Sequence, residues 1–158
     1  MSTRMNFTWR DKEGKSSQLT VAVYFDNADI TSIADAQATF TAYETLLHAC
    51  SGCHIVAGEV IFPMTTADVE NPDDGYNTRS GAILQFKDSN GVGQSLYIPG
   101  VLQDKIVNGV IDENDGDITA LVNEIIANPG TTDPLSTRGS DSKWSTFEGG
   151  RQANRKVS

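Results

Sequence analysis

The stretch that decides the fold occurs twice in the chain. Residues 7–21 read FTWRDKEGKSSQLTV, and residues 84–98 read LQFKDSNGVGQSLYI. The two stretches align at a constant offset of 77 residues, and the aligned pairs include the turn glycines Gly14 and Gly91. In each copy apolar and polar residues alternate, a polar turn follows, and the alternation resumes. This pattern predicts two β-hairpins that each bury one face, because successive side chains of a strand point to opposite sides.

A second, shorter repeat follows each hairpin. Residues 29–33 read DITSI and residues 117–121 read DITAL, now at an offset of 88. The eleven additional residues lie between the second hairpin and the segment after it, where an insertion costs little. We therefore predict a single domain, residues 1–158, with an internal duplication at about 1–79 and 80–158. Chance similarity of two hairpins is the alternative.

Apolar spacing predicts a helix after each hairpin, over residues 32–50 and about 118–127. The first helix has one apolar stripe, formed by Ile33, Ala36, Phe40, Tyr43, Leu47 and Cys50. Strands are expected at 54–62 and, as its counterpart, at 143–148. The predicted fold class is α+β, a β-sandwich or barrel built from two duplicated β-hairpin plus helix units.

The charge balance excludes some partners. The chain has 12 Lys and Arg against 21 Asp and Glu, a net charge of −9, which disfavours binding to duplex DNA or to an anionic membrane. The sequence contains no run of 18 apolar residues, so we expect no association with a membrane. It also contains no apolar leader, so we expect a protein that is made in the cytoplasm and has no signal peptide.

Charge is also segregated along the chain. Residues 26–78 contain nine acids and no Lys or Arg, whereas residues 138–158 contain five bases and two acids. Unlike charges of this kind attract neighbouring copies. The predicted assembly interface comprises Asp68, Glu70, Asp73, Asp74, Tyr76, Arg151, Arg155 and Lys156.

Residues 50–54 match the haem c attachment pattern C-x-x-C-H, with Cys50 and Cys53 as attachment points and His54 as an axial ligand. Haem c is attached outside the cytoplasm, and these residues also suit a helix end followed by a strand. We therefore expect no haem, although a c-type haem electron carrier remains an alternative function.

No other motif indicates chemistry. The acidic run DENDGD at 112–117 resembles a calcium loop, but no register places its glycine at position six and a glutamate at position twelve. His48 and His54 are the only histidines, and no nucleophile motif accompanies them. We expect no enzymatic activity, no metal and no cofactor.

One resemblance to a known family remains. The hairpins at Phe7–Phe25 and Leu84–Val101, the helix at Ser32–Cys50 and the long arm at Pro63–Ser80 together resemble small virion structural proteins of tailed bacteriophages, nearest to tail tube proteins. The resemblance implies a virion protein whose partners are its own copies and other virion proteins, assembled as stacked rings around a lumen through which DNA passes. A phage capsid decoration protein and a cytoplasmic adaptor or ligand-binding domain are the alternatives.

Overall fold

The computed structural model describes residues 2–10, 18–26, 28–51, 54–64, 79–133 and 142–155. The elements are β1 (Ser2–Arg10), β2 (Gln18–Asp26), α1 (Ile33–Cys50), β3 (His54–Met64), β4 (Arg79–Asp88), β5 (Gly93–Pro99), β6 (Ile106–Val107), β7 (Val110–Ile111), α2 (Gly116–Ala127) and β8 (Trp144–Arg155), with a 3₁₀ turn at Gln103–Lys105. The fold is mixed α+β, with two helices and two antiparallel sheets among the described residues.

The three strands of the first sheet correspond in order to the first three strands of the second sheet. The first has the order β2-β1-β3, and the second has the order β5-β4-β8-β7-β6. In both halves a hairpin is followed by a helix and then by a strand that returns antiparallel to the first strand of the hairpin. Phe7 lies opposite Gly58 in one half, and Leu84 lies opposite Gly150 in the other. The first pairing shifts register between Thr8 and Trp9, and the second shifts between Leu84 and Phe86.

The hairpins differ in one respect from the constant offset of the sequence repeat. Phe7 pairs with Val21, whereas Leu84 pairs with Leu96 instead of Ile98. The second hairpin is thus displaced by two residues. A displacement by two keeps every side chain on its original face, so the buried positions of both hairpins are preserved.

Helix α1 begins where the sequence predicts. Ser32 caps it, and the Ser32 hydroxyl accepts a hydrogen bond from the Asp35 N–H at 3.1 Å. Of the predicted stripe, four residues are buried and Phe40 is partly buried. Ile33 is the exception, because its side chain is 49% exposed. It lies in the first turn of the helix, beyond the edge of the core.

One hydrophobic cluster includes side chains from both halves. Phe7 stacks on Phe40 with ring centroids 5.0 Å apart, and Phe86 packs against Trp144 at 5.5 Å. The halves are also joined by polar contacts: the Tyr43 hydroxyl donates to the carbonyl of Asn128 at 2.6 Å. Mutual backbone hydrogen bonds connect Tyr24 and Thr131, and an ion pair joins Asp29 and Lys143.

Strand β8 corrects the prediction for the C-terminal region. The sequence predicts a strand at 143–148 only. The strand instead continues to Arg155 and lies between β4 and β7. Gly149 adopts a positive φ of 92° at the register shift, which only glycine accepts readily, and the pairing with β4 resumes after it.

Two predicted segments lie wholly or mostly outside the residues that the structure describes. The predicted turn at 11–15 and most of the arm at Pro63–Ser80 lie outside the described residues, apart from the end of β3 and the start of β4. No helix among the described residues is long and apolar enough to cross a membrane.

Candidate functional site

The most distinctive site is built on a segment that only the second half contains. Between β5 and α2 the chain forms the 3₁₀ turn and then a small hairpin, β6–β7. Asn108 and Gly109 form the tip of this hairpin with φ values of 53° and 78°. Two consecutive residues with positive φ suit a two-residue hairpin turn, and Asn-Gly is the sequence that adopts it most easily.

The small hairpin is held in place at several points. Val110 pairs with Arg151 of β8, and the Gln152 N–H donates to the carbonyl of Gly109 at 2.8 Å. The Leu102 N–H donates to the carbonyl of Cys50 at the end of α1, at 3.1 Å. The inserted segment therefore extends the second sheet as β7 and β6 and does not hang from it as a loose loop.

A buried lysine anchors the base of this segment. Lys105 is 3% exposed, and its ammonium lies 2.9 Å from a carboxylate oxygen of Asp117 and 3.4 Å from one of Asp115. Asp115 is also the N-cap of α2 and accepts hydrogen bonds from the N–H groups of Asp117 and Ile118. Two of the carboxylates in the acidic run that resembles a calcium loop thus face an ammonium of the same chain.

The protonation of this cluster follows from these contacts. Burial acts to lower the pKa of Lys105, but hydrogen bonds to Asp117 and Asp115 and the charges of both carboxylates outweigh it, so the pKa of the lysine is raised. The Ile118 N–H is the main cause that holds the pKa of Asp115 below its ordinary value, and Lys105 acts in the same direction. Both partners are therefore charged at neutral pH.

One face of the small hairpin carries exposed apolar side chains. Ile111 is buried in the core and Ile106 packs against it, whereas Val107 and Val110 are 53% and 51% exposed. Val107 pairs with Val110, and Val110 pairs with the exposed Arg151, so these three side chains share the opposite face of the sheet. We call Val107, Val110 and Arg151 the hairpin surface.

The outward face of α1 is the second notable surface. Its exposed positions are mostly Thr, Ala and Gln, where a solvated helix ordinarily carries Lys and Glu. A shallow, wide-open depression of about 640 Å³ lies along this face. We call it the helix groove; it is lined by Gln37, Ala38, Thr41, Ala42, Thr45 and Leu46.

The structure places the predicted haem residues as follows. Cys50 is fully buried on the core side of α1, and burial raises the pKa of its thiol to about 12. Cys53 lies outside the described residues, and His54 begins β3. The thiol of Cys50 is enclosed by core side chains, which is the position expected of a packing residue.

Only part of the predicted assembly interface can be located. Arg151 is exposed on β8, and the backbone of Arg155 pairs with Arg79 at the end of the same strand. Lys156 and the acidic group at 68–76 lie outside the described residues. The structure therefore joins Arg151 to a surface that the sequence analysis did not predict, the exposed valines of the small hairpin.

Sequence reasoning missed the small hairpin although a signal was present. Asn108-Gly109 is flanked by Ile106-Val107 and by Val110-Ile111. An Asn-Gly pair between apolar residues is the strongest short-range signal for a hairpin. Lys105 carried no comparable signal, because its partners are ten and twelve residues away and meet it only in the folded chain.

Comparisons with protein-family models, with curated proteins and with solved structures gave no match to this chain.

Proposed function

We propose that this protein is a structural subunit that assembles with copies of itself, most similar to the tail tube proteins of tailed bacteriophages, and that it forms stacked rings in a virion. The proposal has no enzymatic step. It assigns the sheets and exposed surfaces to contacts between subunits. Its partners are further copies of the chain and other virion proteins.

The observation that carries the proposal is a difference between two equivalent strand edges. Strands β3 and β8 occupy the same place in their halves, next to the first strand of the hairpin. On its other side β8 pairs with β7 of the inserted segment. No described strand lies on the corresponding side of β3, which is 11 residues long. An open edge of that length is a template for pairing with another chain.

We also propose how the two halves of the fold are related. The two halves are copies of one ββαβ unit whose sheets form a sandwich or barrel, as the sequence repeat predicts. The shared strand order and the equivalent register shifts support this view. A duplicated unit gives each subunit two similar sheets, so a ring of three subunits would have pseudo-sixfold symmetry.

Charge supports contacts between copies as well. Arg151, Arg155 and Lys156 lie in the basic end of the chain, and the acids at 68–74 belong to a stretch without Lys or Arg. One such exposed pair contributes only about 0–1 kcal/mol. Around a closed ring the same pair recurs in every interface and acts together with the others. A lumen lined by carboxylates would let DNA pass without adhering.

Sedimentation velocity combined with negative-stain microscopy tests the proposal. Purified protein examined over a hundredfold range of concentration is expected to form rings or tubes, and added salt is expected to weaken them because it screens the exposed charges. Isolated small oligomers without tubes would favour the capsid decoration protein. A monomer at every concentration would contradict the proposal. A Soret band in the same sample would instead indicate the haem carrier.

A further inference from the structure

The hairpin surface and the helix groove complement each other. We propose that the hairpin surface of one copy docks into the helix groove of a second copy. This inference rests on the proposed function, because it names one contact through which the subunits assemble. The hairpin surface comprises Val107, Val110 and Arg151, and the groove runs along the outward face of α1.

The hairpin surface and the helix groove match in shape and polarity. The small hairpin ends in a two-residue turn, so it is narrow at its tip, and its two valines stand side by side. The described residues that line the shallow groove have mainly short or apolar side chains, and none of them is charged. Exposed valines gain by leaving water, and a groove without charged groups can receive them without desolvating an ion.

The hairpin surface and helix α1 also carry opposite charges. Arg151 lies beside Val110 on the exposed face of the sheet. Helix α1 contains the acids Asp35 and Glu44 and no Lys or Arg. At 100° per residue these two acids fall on opposite flanks of the groove. A guanidinium carried in beside the valines therefore finds a carboxylate at the rim of the groove, where charge complementarity selects partner and register.

The molecule that occupies the helix groove is a second copy of this chain. Both surfaces are exposed on the same chain, and each is fixed by its own supports: α1 by the core, and the small hairpin by β8 and by the ion pairs of Lys105. A contact between two different surfaces of identical subunits runs head to tail. It closes into a ring or continues as a filament, according to the rotation between neighbours.

Site-directed cross-linking tests this contact. We would prepare Val110→Cys and Thr41→Cys as separate proteins of different mass, each with Cys53→Ser, and oxidise them alone and mixed. The buried Cys50 is left in place. The matched control is Val92→Cys, since Val92 is another valine of the second half and is 45% exposed. The three residues that are replaced by cysteine are exposed, so these changes are expected to leave the fold intact.

The expected result is a covalent heterodimer from the mixture of Val110→Cys and Thr41→Cys, with several times less product from Val92→Cys and Thr41→Cys. Equal yields in both mixtures, or no heterodimer although wild-type protein sediments as an oligomer, would overturn the docking inference and leave self-assembly standing. Preferred cross-linking of Val110→Cys to itself would also overturn it. Wild-type protein that is monomeric throughout would overturn the proposed function, and the inference with it.

A charge exchange gives an independent reading. Arg151→Glu alone and Glu44→Arg alone are each expected to weaken assembly about tenfold, because each change places two like charges opposite each other at the rim of the contact. The two changes combined in one chain are expected to restore much of it, because the attraction is then reversed in sign and retained. If the combined variant assembles no better than the single ones, Glu44 is not the partner of Arg151 and the proposed register is wrong.

Discussion

The two halves of this protein have the same strand order but differ at one edge. In the second half an inserted segment provides β6 and β7, and β7 pairs with β8 at Arg151, on the side of β8 that faces away from β4. In the first half the chain passes from β2 to α1 within a few residues, and no described strand covers the corresponding side of β3. The inserted segment therefore gives β8 a second neighbour at a place where no described strand lies beside β3, and under the proposed function this difference leaves β3 as the edge that binds another copy.

The most severe test of the comparison concerns the core that the halves share. Phe7 and Trp144 are both fully enclosed, one in each half. Phe7→Ala and Trp144→Ala are each expected to lower the free energy of unfolding by about 3–5 kcal/mol. Because one cluster includes both side chains, each variant is expected to unfold in a single transition. Urea denaturation monitored by circular dichroism measures both the transition and the loss of stability. Val92→Ala is the exposed control and should change stability by less than about 0.5 kcal/mol. Two separate transitions would show that the halves are independent.

The anchor of the inserted segment is expected to have the next largest effect. Lys105→Met removes the ammonium and leaves the partly buried Asp115 carboxylate without its ion partner, which should cost about 1–3 kcal/mol. Lys87→Met is the matched control, since Lys87 forms an exposed ion pair with Glu148 and its loss should cost about 0–1 kcal/mol. Urea denaturation of both variants measures the difference. Equal effects would mean that the buried cluster does not stabilise the second half.

The pH dependence of stability follows from the same cluster. The pKa of Asp115 is lowered by folding, so its contribution is present above its unfolded value of 3.8 and is lost as the pH falls through the folded value. The pKa of Lys105 is raised, so its contribution is complete below about 10.4 and is lost as the pH rises through the folded value. Urea titrations across this range should show both losses in the wild type. Burial also raises the pKa values of the Cys50 thiol and the Tyr43 hydroxyl, so these two groups cause an alkaline loss of stability of their own. Lys105→Met should therefore show a smaller alkaline loss than the wild type, and an unchanged alkaline limb would contradict the assignment.

The smallest expected effect concerns a bond between the halves. Tyr43→Phe removes the hydroxyl that donates to the carbonyl of Asn128 at 2.6 Å, while the ring remains in the core. The expected loss of stability is about 1 kcal/mol, with the unfolding still in one transition. Thr45→Val alters a hydroxyl on the exposed side of the same helix and serves as the control. A neutral Tyr43→Phe would mean that this bond contributes nothing to joining the halves.

The sequence was most informative where the structural signal is local. Helix α1 and strand β3 begin at the predicted residues or within one of them, because apolar periodicity reports each element directly. The exposure of Ile33 was not predictable from its place in the stripe, since periodicity does not show where the core ends.

Long-range features were less accessible. The extension of β8 was missed because consecutive glycines ordinarily indicate a turn, whereas here Gly149 forms a bulge and Gly150 lies under Ile111 and Leu84. A Cβ on Gly150 would lie 2.9 Å from Ile111, so this glycine is needed for close packing. The cluster around Lys105 depends on tertiary contacts in the same way.

Hydrogen exchange of β3 tests the central claim most directly. Backbone amides of residues 54–64 would be followed by mass spectrometry in dilute protein and in the assembled particle, with residues 144–155 of β8 as the internal comparison. We expect β3 to exchange faster in dilute protein than the part of β8 around Arg151, which pairs with both β4 and β7, and to become protected on assembly, while that part of β8 is protected in both states. Equal protection of β3 and β8 in the dilute protein, or no change in β3 on assembly, would contradict the claim that this edge joins one copy to the next.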